Sequence, residues 1–370
     1  MSLQTAYIGI GSNLGNRKEY IDKALKMLAE SEKIEFCRMS DIIETTSLGD
    51  KTQPDYLNAV AEIQTSLEPE DLHKKLIQIE NLLGRERKEK WSSRTIDLDL
   101  LLFGDNVINT AKLTIPHKQM HLRSFVLTCL CELNSELIHP VMKVSISELA
   151  ARLNGSDFAI NPYKPQLISI AGNIGVGKTT LAKKLAEFFS CEVLFEPYDN
   201  NPFLPEVYAG RKELSLDCQL FFLTKRVEQL GLDSLLPGQI CISDYIFEKE
   251  QIYARTLLDE KQHAIYEDIY KSLEKKVFSP VLVVYMQDSS GNCLNRIHSR
   301  NRPYEQRIEV DFLDELVDGY EELFKNWNKS PILRISTSQL DYTKQSTVEN
   351  LINQVKYYIT CNNSIGRNLL

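Results

Sequence analysis

A glycine-rich segment, Gly172–Thr179, constrains the fold of this chain more than any other feature. It reads GNIGVGKT and lies between the apolar run Leu167–Ala171 and a helical pattern from Thr180 to Phe189. This is the P-loop pattern, in which glycines let backbone N–H groups converge on phosphates. Lys178 would supply a point charge to the β- and γ-phosphates, and the Thr179 hydroxyl would ligate Mg²⁺ at a helix N-terminus. Besides Lys178, the residues expected to contact ATP here are Gly172, Asn173, Ile174, Gly175, Val176, Gly177, Thr179 and Thr180.

The length and the order of the apolar runs predict two domains of α/β type. A chain of 370 residues is long for one compact domain. The polar stretch 154–165 contains Gly and Pro residues that stop a helix, so we place a linker at 159–166 between domains 1–158 and 167–370. The second domain alternates strand and helix patterns and is expected to form a doubly wound parallel sheet. In the first domain, an α+β domain, strands are expected near 5–10, 34–46, 57–65 and 95–103, and helices near 17–30 and 69–83.

Charge, cysteines and hydropathy exclude several classes of protein. The net charge of −8 is split evenly between the halves, so we expect neither half to bind nucleic acid or a membrane surface. Eight cysteines occur without a CxxC pair, which favours reduced core thiols over a zinc site or a disulfide framework. No apolar run approaches the roughly 18 residues of a membrane span, and the first residues lack a signal-peptide pattern. These features predict a cytoplasmic protein.

An acceptor site is expected next to the P-loop. Glu196 follows the strand pattern 191–195, and a carboxylate at the carboxyl end of that strand can take a proton from an attacking hydroxyl. Gln219 and Arg226 are seven residues apart, which places both on one face of a helix. The segment 296–302 carries three arginines that suit a phosphoryl group with charge spread over its equatorial oxygens.

Together these motifs resemble the deoxynucleoside kinases over nearly all of 167–370. The resemblance implies that Glu196 is the general base, that Asp244 holds one Mg²⁺ through water, and that the protein is a homodimer through this domain. It also implies nucleoside contacts from Tyr208, Gln219, Arg226, Glu250 and Glu305, and a mobile lid that carries Arg296, Arg300 and Arg302. This chain departs from the family at Tyr245, where the usual Asp-Arg-Ser sequence has an arginine that orients the base and the 5′ position.

Two aspartates dominate the first domain. Asp97 and Asp99 alternate with apolar residues in a strand pattern, so both carboxylates face the same side. Two hard oxygen ligands so close together suit Mg²⁺ ions that bridge ATP phosphates. Arg85, Arg87 and Arg94 crowd the same stretch, as expected if a polyphosphate is clamped against those metals.

This pattern resembles the hydroxymethyldihydropterin pyrophosphokinases of folate synthesis, across residues 3–150. The motifs that carry the resemblance are Gly11–Arg17, Pro54–Asn58, Gly84–Gly104 and Leu113–His117. It implies a ferredoxin-like α+β fold and transfer of diphosphate from ATP to a pterin hydroxymethyl group, with two Mg²⁺ on the aspartates. The implied ATP contacts are Glu80, Arg85, Arg87, Trp91, Arg94, Thr114, His117 and Arg123, and the implied pterin contacts are Thr46, Leu48, Tyr56, Asn58 and Phe125. Arg85 and Arg94 would be catalytic arginines of a mobile loop, in which Ser92 and Ser93 replace the usual Gly-Pro.

The interpretation is a bifunctional enzyme that uses ATP, a pterin and a deoxynucleoside as small-molecule substrates. Two alternatives for the second domain stay open on the sequence. It could be a nucleotide-binding regulatory or dimerisation module, which the tyrosine at position 245 favours. It could also phosphorylate a nucleoside monophosphate, although the family residues at Glu196 and Tyr208 are those that hold an uncharged 5′-hydroxyl.

Overall fold

The structure of the protein, a computed structural model, describes residues 3–47, 52–85, 93–340 and 344–359. The chain divides into two compact units, Met1–Ala159 and Ile160–Leu370. Leu48, Arg87, Trp91 and Ser92, for which the sequence predicts contacts or loop behaviour, lie outside the described residues. None of the described helices is long and apolar enough to cross a membrane.

The first unit is a mixed α/β fold built on an antiparallel sheet. Its strands are β1 (Gln4–Ser12), β2 (Ile34–Met39), β3 (Ile43–Thr45), β4 (Tyr56–Thr65), β5 (Asp97–Phe103), β6 (Ile108–Asn109) and β7 (Thr114–Ile115). Its helices are α1 (Arg17–Ala29), α2 (Pro69–Leu82), α3 (Ser124–Asn134) and α4 (Ile146–Leu153). The main sheet has the order β2–β4–β1–β5, with β3 paired to β4. The sequence β1–α1–β2–β4–α2–β5 in that order is the ferredoxin-like arrangement, which confirms the predicted fold class.

Amphipathic helices cover one face of this sheet. Ile21, Ala24 and Leu28 of α1 are buried with Leu72 and Leu76 of α2 in one core cluster, which also holds inward residues of β1 and β5. Helix α2 begins with a proline, whose missing N–H is not needed in the first turn. On the other face α3 contacts β4, and the part of that face that α3 leaves uncovered can carry polar side chains.

The strand predicted at 34–46 is two strands, because Ser40 interrupts the ladder. Its backbone N–H donates to the carbonyl of Val60 at 2.9 Å, while its hydroxyl oxygen accepts from the Val60 N–H at 3.0 Å. The serine side chain thus replaces a backbone carbonyl, and the chain turns before β3. A hydrophobicity pattern does not contain this information.

The second unit is built on a parallel sheet, as predicted, and this sheet has five strands. Its strands are β8 (Gln166–Gly172), β9 (Val193–Leu194), β10 (Ile240–Ser243), β11 (Leu282–Gln287) and β12 (Ile332–Ser336), in the spatial order β12–β11–β8–β10–β9. Its helices are α5 (Lys178–Phe189), α6 (Leu204–Tyr208), α7 (Ser215–Leu230), α8 (Lys249–Leu257), α9 (Glu260–Leu273), α10 (Ser290–Arg300), α11 (Val310–Lys325) and α12 (Gln345–Lys356). The sequence analysis did not identify β12. Because β8, β9 and β10 are parallel neighbours, the loops after their carboxyl ends meet at one edge of the sheet.

Candidate active sites

In the first unit, an open cavity of about 720 Å³ lies on the sheet face opposite the helical core. The predicted residues that line it are Thr46, Tyr56, Asn58, Arg94, Asp97, Asp99, Arg123 and Phe125. Within β5 the burial alternates as predicted, since Leu98 and Leu100 are buried while the side chains of Asp97 and Asp99 stay 18% and 33% exposed. The structure thus brings the predicted pterin residues that it describes and the two predicted metal aspartates into one cavity.

Strand register explains why the cavity forms at this point. Gly11 in the central strand β1 pairs with Asn58 of β4 on one side and with Asp97 of β5 on the other. A Cβ atom on Gly11 would lie 3.2 Å from Asn58 Oδ1 and 3.8 Å from Asp97 Cβ. The glycine therefore leaves the space between the amide and the carboxylate open.

Cations surround the two carboxylates on β5. Arg85 Nη1 lies 2.5 Å from Asp97 Oδ1, and Arg94 pairs with the other Asp97 oxygen. Arg123 Nη1 is 3.5 Å from Asp99 Oδ2, and His117 Nε2 is 4.0 Å from Asp99 Oδ1. Three guanidiniums at two carboxylates are an arrangement that a polyphosphate with bound cations can enter and reorganise.

The two aspartates differ in their acidity because their neighbours differ. Burial and the adjacent charge of Asp99 raise the pKa of Asp97, although arginines oppose the shift. Burial also opposes ionisation of Asp99, but His117 and Arg123 outweigh it and lower the pKa of that carboxyl. Burial lowers the pKa of His117, although the charge of Asp99 opposes the shift.

Glu80 supports the site from behind rather than lining the cavity. It is 2% exposed, and its carboxylate accepts hydrogen bonds from Arg85 and, at 2.8 Å, from the backbone N–H of Leu98. Arg85 thus bridges Glu80 and Asp97. Thr114, in the short strand β7, does not line the cavity either, and neither do Arg85 and His117. All the predicted ATP and pterin contacts stay predictions.

Asn13 is a site residue that the sequence analysis did not single out. Its Oδ1 accepts from the backbone N–H of Arg94 at 2.8 Å, and its own N–H donates to the Arg94 carbonyl at 3.2 Å. Its Nδ2 donates to Ser93 Oγ and to the Pro54 carbonyl, both at 3.2 Å. Asn13 is 1% exposed and holds the segment that carries Arg94 against β1. The signal was its place in the Gly11–Arg17 motif.

In the second unit, a cavity of about 870 Å³ opens where the loops after β8, β9 and β10 meet. The predicted residues that line it are Ile174, Gly175, Lys178, Thr179, Glu196, Tyr208, Gln219, Arg226, Asp244, Arg300, Arg302 and Glu305. Those predicted residues that do not line it are Gly172, Asn173, Val176, Gly177, Thr180, Glu250 and Arg296. The expected phosphate, nucleoside and lid residues therefore share one cavity.

The P-loop is anchored at both ends. Lys178 Nζ donates to the carbonyls of Gly172 at 2.9 Å and Asn173 at 2.8 Å, and burial lowers the pKa of this lysine. Thr179 Oγ1 donates to Asp244 Oδ2 at 2.6 Å. Gly175 has a φ of +77°, and a Cβ there would lie 2.5 Å from the Cys293 carbonyl, so no other residue fits. These contacts and the glycine conformation fix the shape of the loop.

Glu196 lies at the centre of the charges in this cavity. Lys249 Nζ is 2.7 Å from its Oε1 and 2.8 Å from its Oε2, and Arg226 also pairs with Oε1. Burial would raise the pKa of Glu196, but Lys249, Arg226 and Lys178 outweigh it and lower the pKa to about 2. Its backbone N–H donates to Asp244 Oδ1 at 2.8 Å, so Asp244 connects this carboxylate to the P-loop.

One wall of the cavity is lined by side chains that are expected to recognise the nucleobase. Gln219 and Arg226 are 3% and 2% exposed on one face of α7, as the seven-residue spacing predicts. Glu250 lies behind Arg226, pairs with it, and accepts from the Tyr266 hydroxyl. The ring of Tyr208 is nearly parallel to that of Tyr304, a residue that the sequence analysis missed.

The lid arginines make two kinds of contact. Arg300 Nη2 is 2.6 Å from Glu305 Oε2, and Arg302 Nη1 is 3.3 Å from Glu305 Oε1. Arg302 also donates to the Tyr198 hydroxyl at 2.6 Å. Arg296 instead pairs with Asp288 at 2.5 Å, outside the cavity lining. Two of the three predicted lid arginines therefore already point to the site.

Tyr245 does not face the cavity. It is fully buried in a hydrophobic cluster, its hydroxyl donates to Gln229 Oε1 at 2.5 Å, and its ring lies 5.3 Å from the guanidinium of Arg226. Lys249, four residues further along, reaches the cavity instead. The sequence analysis missed Lys249, because the side-chain direction at the start of α8 depends on the turn that precedes it.

Comparisons with known proteins divide at the same place in the chain. A family model described as 7,8-dihydro-6-hydroxymethylpterin-pyrophosphokinase matches residues 7–135, and one described as deoxynucleoside kinase matches residues 168–360. A 2-amino-4-hydroxy-6-hydroxymethyldihydropteridine pyrophosphokinase of Haemophilus influenzae is 43% identical over 145 residues, which cover 39% of this chain and 90% of that protein. The deoxyguanosine kinase of Bacillus subtilis is 34% identical over 200 residues, which cover 52% of this chain and 97% of that protein.

A solved structure is also similar to part of this chain. It is titled as deoxyadenosine kinase from M. mycoides with the products dCMP and a flexible dCDP bound. The match covers 54% of this chain and 99% of that one, at 25% sequence identity and a TM-score of 0.46.

Proposed function

Because this chain belongs to the 7,8-dihydro-6-hydroxymethylpterin-pyrophosphokinase family over its first unit and to the deoxynucleoside kinase family over its second, we propose that it catalyses two ATP-dependent transfers at separate sites. The first site transfers diphosphate to 6-hydroxymethyl-7,8-dihydropterin. The second phosphorylates the 5′-hydroxyl of a deoxynucleoside. The two family matches, each on its own cavity, carry this proposal.

In the first site, the pterin hydroxymethyl oxygen attacks the β-phosphorus of ATP and AMP leaves. Tyr56 and Phe125 offer aromatic faces to the pterin ring, and the Asn58 amide, held by Thr45 at 2.8 Å, reads its edge. Arg85 and Arg94 neutralise the charge that develops on the phosphates. Their present partner, Asp97, is released when the polyphosphate replaces it as the anion.

The carboxylates of the first site fit Mg²⁺, although among the described residues no group of three His, Cys, Asp or Glu side chains is gathered. Mg²⁺ usually keeps several waters and takes one or two protein carboxylates together with substrate phosphates, so such a group is not required. Asp97 and Asp99 would hold two ions in the first site, and Thr179 and Asp244 one in the second. Bound there, the ions would neutralise phosphate charge.

In the second site, Glu196 accepts the proton of the nucleoside 5′-hydroxyl. The 5′-oxygen bonds to the γ-phosphorus of ATP, and ADP leaves. Lys178, Arg300 and Arg302 stabilise the charge on the transferred group. The sugar 3′-hydroxyl is held by Tyr208 and Glu305, and the base by Gln219, Arg226 and, through Arg226, Glu250. A nucleoside suits this site better than a monophosphate, since a 5′-phosphate would lie against the Glu196 carboxylate. The homodimer and the cytoplasmic location stay predictions from the sequence.

Product analysis tests the proposal directly. The intact chain is incubated with Mg-ATP and one acceptor at a time: hydroxymethyldihydropterin, each deoxynucleoside, or each deoxynucleoside monophosphate. AMP and ADP are then separated by chromatography. We expect AMP with the pterin and ADP with at least one deoxynucleoside. If AMP forms with the pterin but ADP forms with no deoxynucleoside, the second unit is better interpreted as a regulatory module. If ADP forms only with deoxynucleoside monophosphates, the second unit is better interpreted as a monophosphate kinase.

A further inference from the structure

Lys249 occupies a position for which the sequence gives no conventional role. It is the first residue of α8, its side chain is 4% exposed, and its ammonium lines the cavity of the second unit. It bonds both oxygens of Glu196, at 2.7 and 2.8 Å, and its Nζ lies 4.6 Å from the ring centre of Tyr253. A lysine that contacts both oxygens of one carboxylate fixes the plane of that carboxylate.

The contact is more than a stabilising ion pair. Arg226 pairs with Oε1 of Glu196 and also with Glu250, so its one charge is shared by two buried carboxylates. Lys249 bonds the one of these carboxylates that lines the cavity. Bringing a second buried ammonium to the same group adds a desolvation penalty and repulsion from Arg226 and Lys178. Because burying this charge costs free energy, its presence at the wall of a reaction cavity indicates a function there.

The position of Tyr245 indicates the function of the Lys249 charge. Tyr245 stands directly after Asp244, where the sequence analysis noted the absence of a cation that orients the 5′ position. Its side chain turns into the hydrophobic cluster and bonds Gln229, so it adds nothing polar to the cavity. Lys249 supplies one positive charge to Glu196 from the next helix.

We propose that Lys249 is the positioning residue of the phosphoryl transfer, and that it holds Glu196 ionised and oriented in place of the arginine that position 245 lacks. The inference rests on the proposed deoxynucleoside kinase activity. In the step it serves, the 5′-O–H bond breaks and its proton passes to Glu196. The 5′-oxygen bonds to the γ-phosphorus, the bond from that phosphorus to the β–γ bridging oxygen breaks, and ADP leaves. Lys249 keeps its proton throughout.

The electrostatics supply a measurable signature. Burial lowers the pKa of Lys249 to about 7, with Glu196 opposing the shift and Arg226 and Lys178 adding to it. The charged groups that face it are thus Glu196 after β9, Arg226 on α7 and Lys178 on α5, with the Tyr253 ring on its own helix. Below this pKa the ammonium is charged, and as pH rises through it the charge is lost. We therefore expect kcat for the nucleoside to decline above pH 7.

Substitution of Lys249 tests the inference with the intact chain, Mg-ATP and the preferred deoxynucleoside. For Lys249→Met we expect kcat for ADP release to fall by roughly 100-fold, the scale of general acid–base effects, while the nucleoside KM changes less than about threefold. Lys249→Arg should keep at least a tenth of kcat and lose the decline above pH 7, because arginine stays charged. Ethylamine added to Lys249→Ala should restore part of the lost rate.

Lys329→Met is the matched control, since it also removes a lysine paired with a buried glutamate, Glu248 at 2.8 Å, but outside the cavity lining. It should leave kcat and the pH profile unchanged. The inference is overturned if Lys249→Met keeps kcat within threefold, or if Lys249→Arg retains the same decline above pH 7. The arginine variant decides the matter even where the methionine variant fails to fold. Failure of the unmodified chain to release ADP with any deoxynucleoside would instead refute the proposed function, and this inference with it.

Discussion

At the scale of single residues, the environment of a group determines its chemistry more than its type does. Asp97 and Asp99 share one face of β5, yet the pKa of one is raised and that of the other is lowered. Asp97 is the residue that both Arg85 and Arg94 contact, so it organises the cations as well as offering oxygen ligands. Loss of its charge should therefore affect catalysis twice.

We expect Asp97→Asn to lower AMP release with the pterin by about 100-fold or more, because metal and arginine stabilisation of phosphate charge contributes several kcal/mol. The amide keeps the shape of the carboxylate but gives the two arginines no anion. Asp105→Asn, an exposed change in the loop after β5, is the control and should leave the rate unchanged. The measurement is initial AMP production at saturating ATP. Full activity in Asp97→Asn would show that the metal assignment is wrong.

His139 makes the stability of the first unit depend on pH. It is fully buried, its Nδ1 accepts from the backbone N–H of Met142 at 3.1 Å, and burial lowers its pKa from 6.5 to about 4. The unfolded chain then binds a proton more tightly than the folded one, so stability is complete above pH 6.5 and falls as pH drops toward 4. The full difference corresponds to about 3 kcal/mol.

Urea unfolding of the intact chain at pH 7 and pH 4.5, followed by far-ultraviolet circular dichroism in the urea solutions themselves, measures this effect. His139→Asn keeps an acceptor near the position of Nδ1 but cannot take up a proton. We expect the midpoint of the unmodified protein to drop more between these pH values than that of the variant. Equal drops would assign the acid sensitivity to other groups.

At the scale of elements, strand register and turns determine which side chains meet. The alternation of β5, the helices α1 and α2 and the parallel sheet of the second unit could be predicted, because burial imposes periods of two or 3.6 residues. The break at Ser40 and the strand β12 could not be predicted in this way. The break depends on a side chain that replaces a backbone carbonyl, and β12 is a short strand whose pairing with β11 is a long-range contact.

The same distinction applies to the sites. Residues within one motif, such as Asp97 with Asp99 or Gln219 with Arg226, could be placed together from spacing. Lys249 could not be placed at Glu196, because the two are far apart in sequence and their contact depends on the turn between β10 and α8. Spacing also did not show that Glu80, expected to contact ATP, lies behind Arg85.

Asn13 tests the role of the segment that joins β1 to α1. Asn13→Ala removes three side-chain hydrogen bonds that hold Pro54, Ser93 and the Arg94 backbone. We expect kcat for AMP release to fall roughly tenfold, because each buried hydrogen bond contributes about 1 kcal/mol and Arg94 loses its fixed backbone. The pterin KM should change little. Kinetics at saturating and limiting pterin separate the two effects.

Asn16→Ala is the control for this prediction, since it lies in the same motif. Its side chain accepts from the backbone N–H of Glu19 and caps α1. Loss of the cap should lower the free energy of unfolding by about 1 kcal/mol without changing kcat. If both asparagine variants lowered kcat equally, the motif would act through the stability of α1 and not through Arg94.

At the scale of the whole molecule, each unit has its own core and its own reaction cavity. The first has a hydrophobic cluster on one sheet face and its cavity on the other, and the second forms its cavity from loops of its own sheet. All the site residues described for one reaction come from one unit. Pterin and deoxynucleoside are not consecutive substrates, so no transfer between the cavities is required.

We therefore expect the two activities to be lost independently. Lys178→Ala removes the charge that the P-loop offers to the phosphates, so it should lower ADP release with a deoxynucleoside by at least about 100-fold and leave AMP release with the pterin within twofold. Asp97→Asn should do the reverse. Both products are measured in one preparation of each variant, so each unmodified site reports that the chain is folded. A fall of more than threefold in the activity of the untouched site, in either variant, would show that the two reactions are coupled and that the units do not act as separate enzymes.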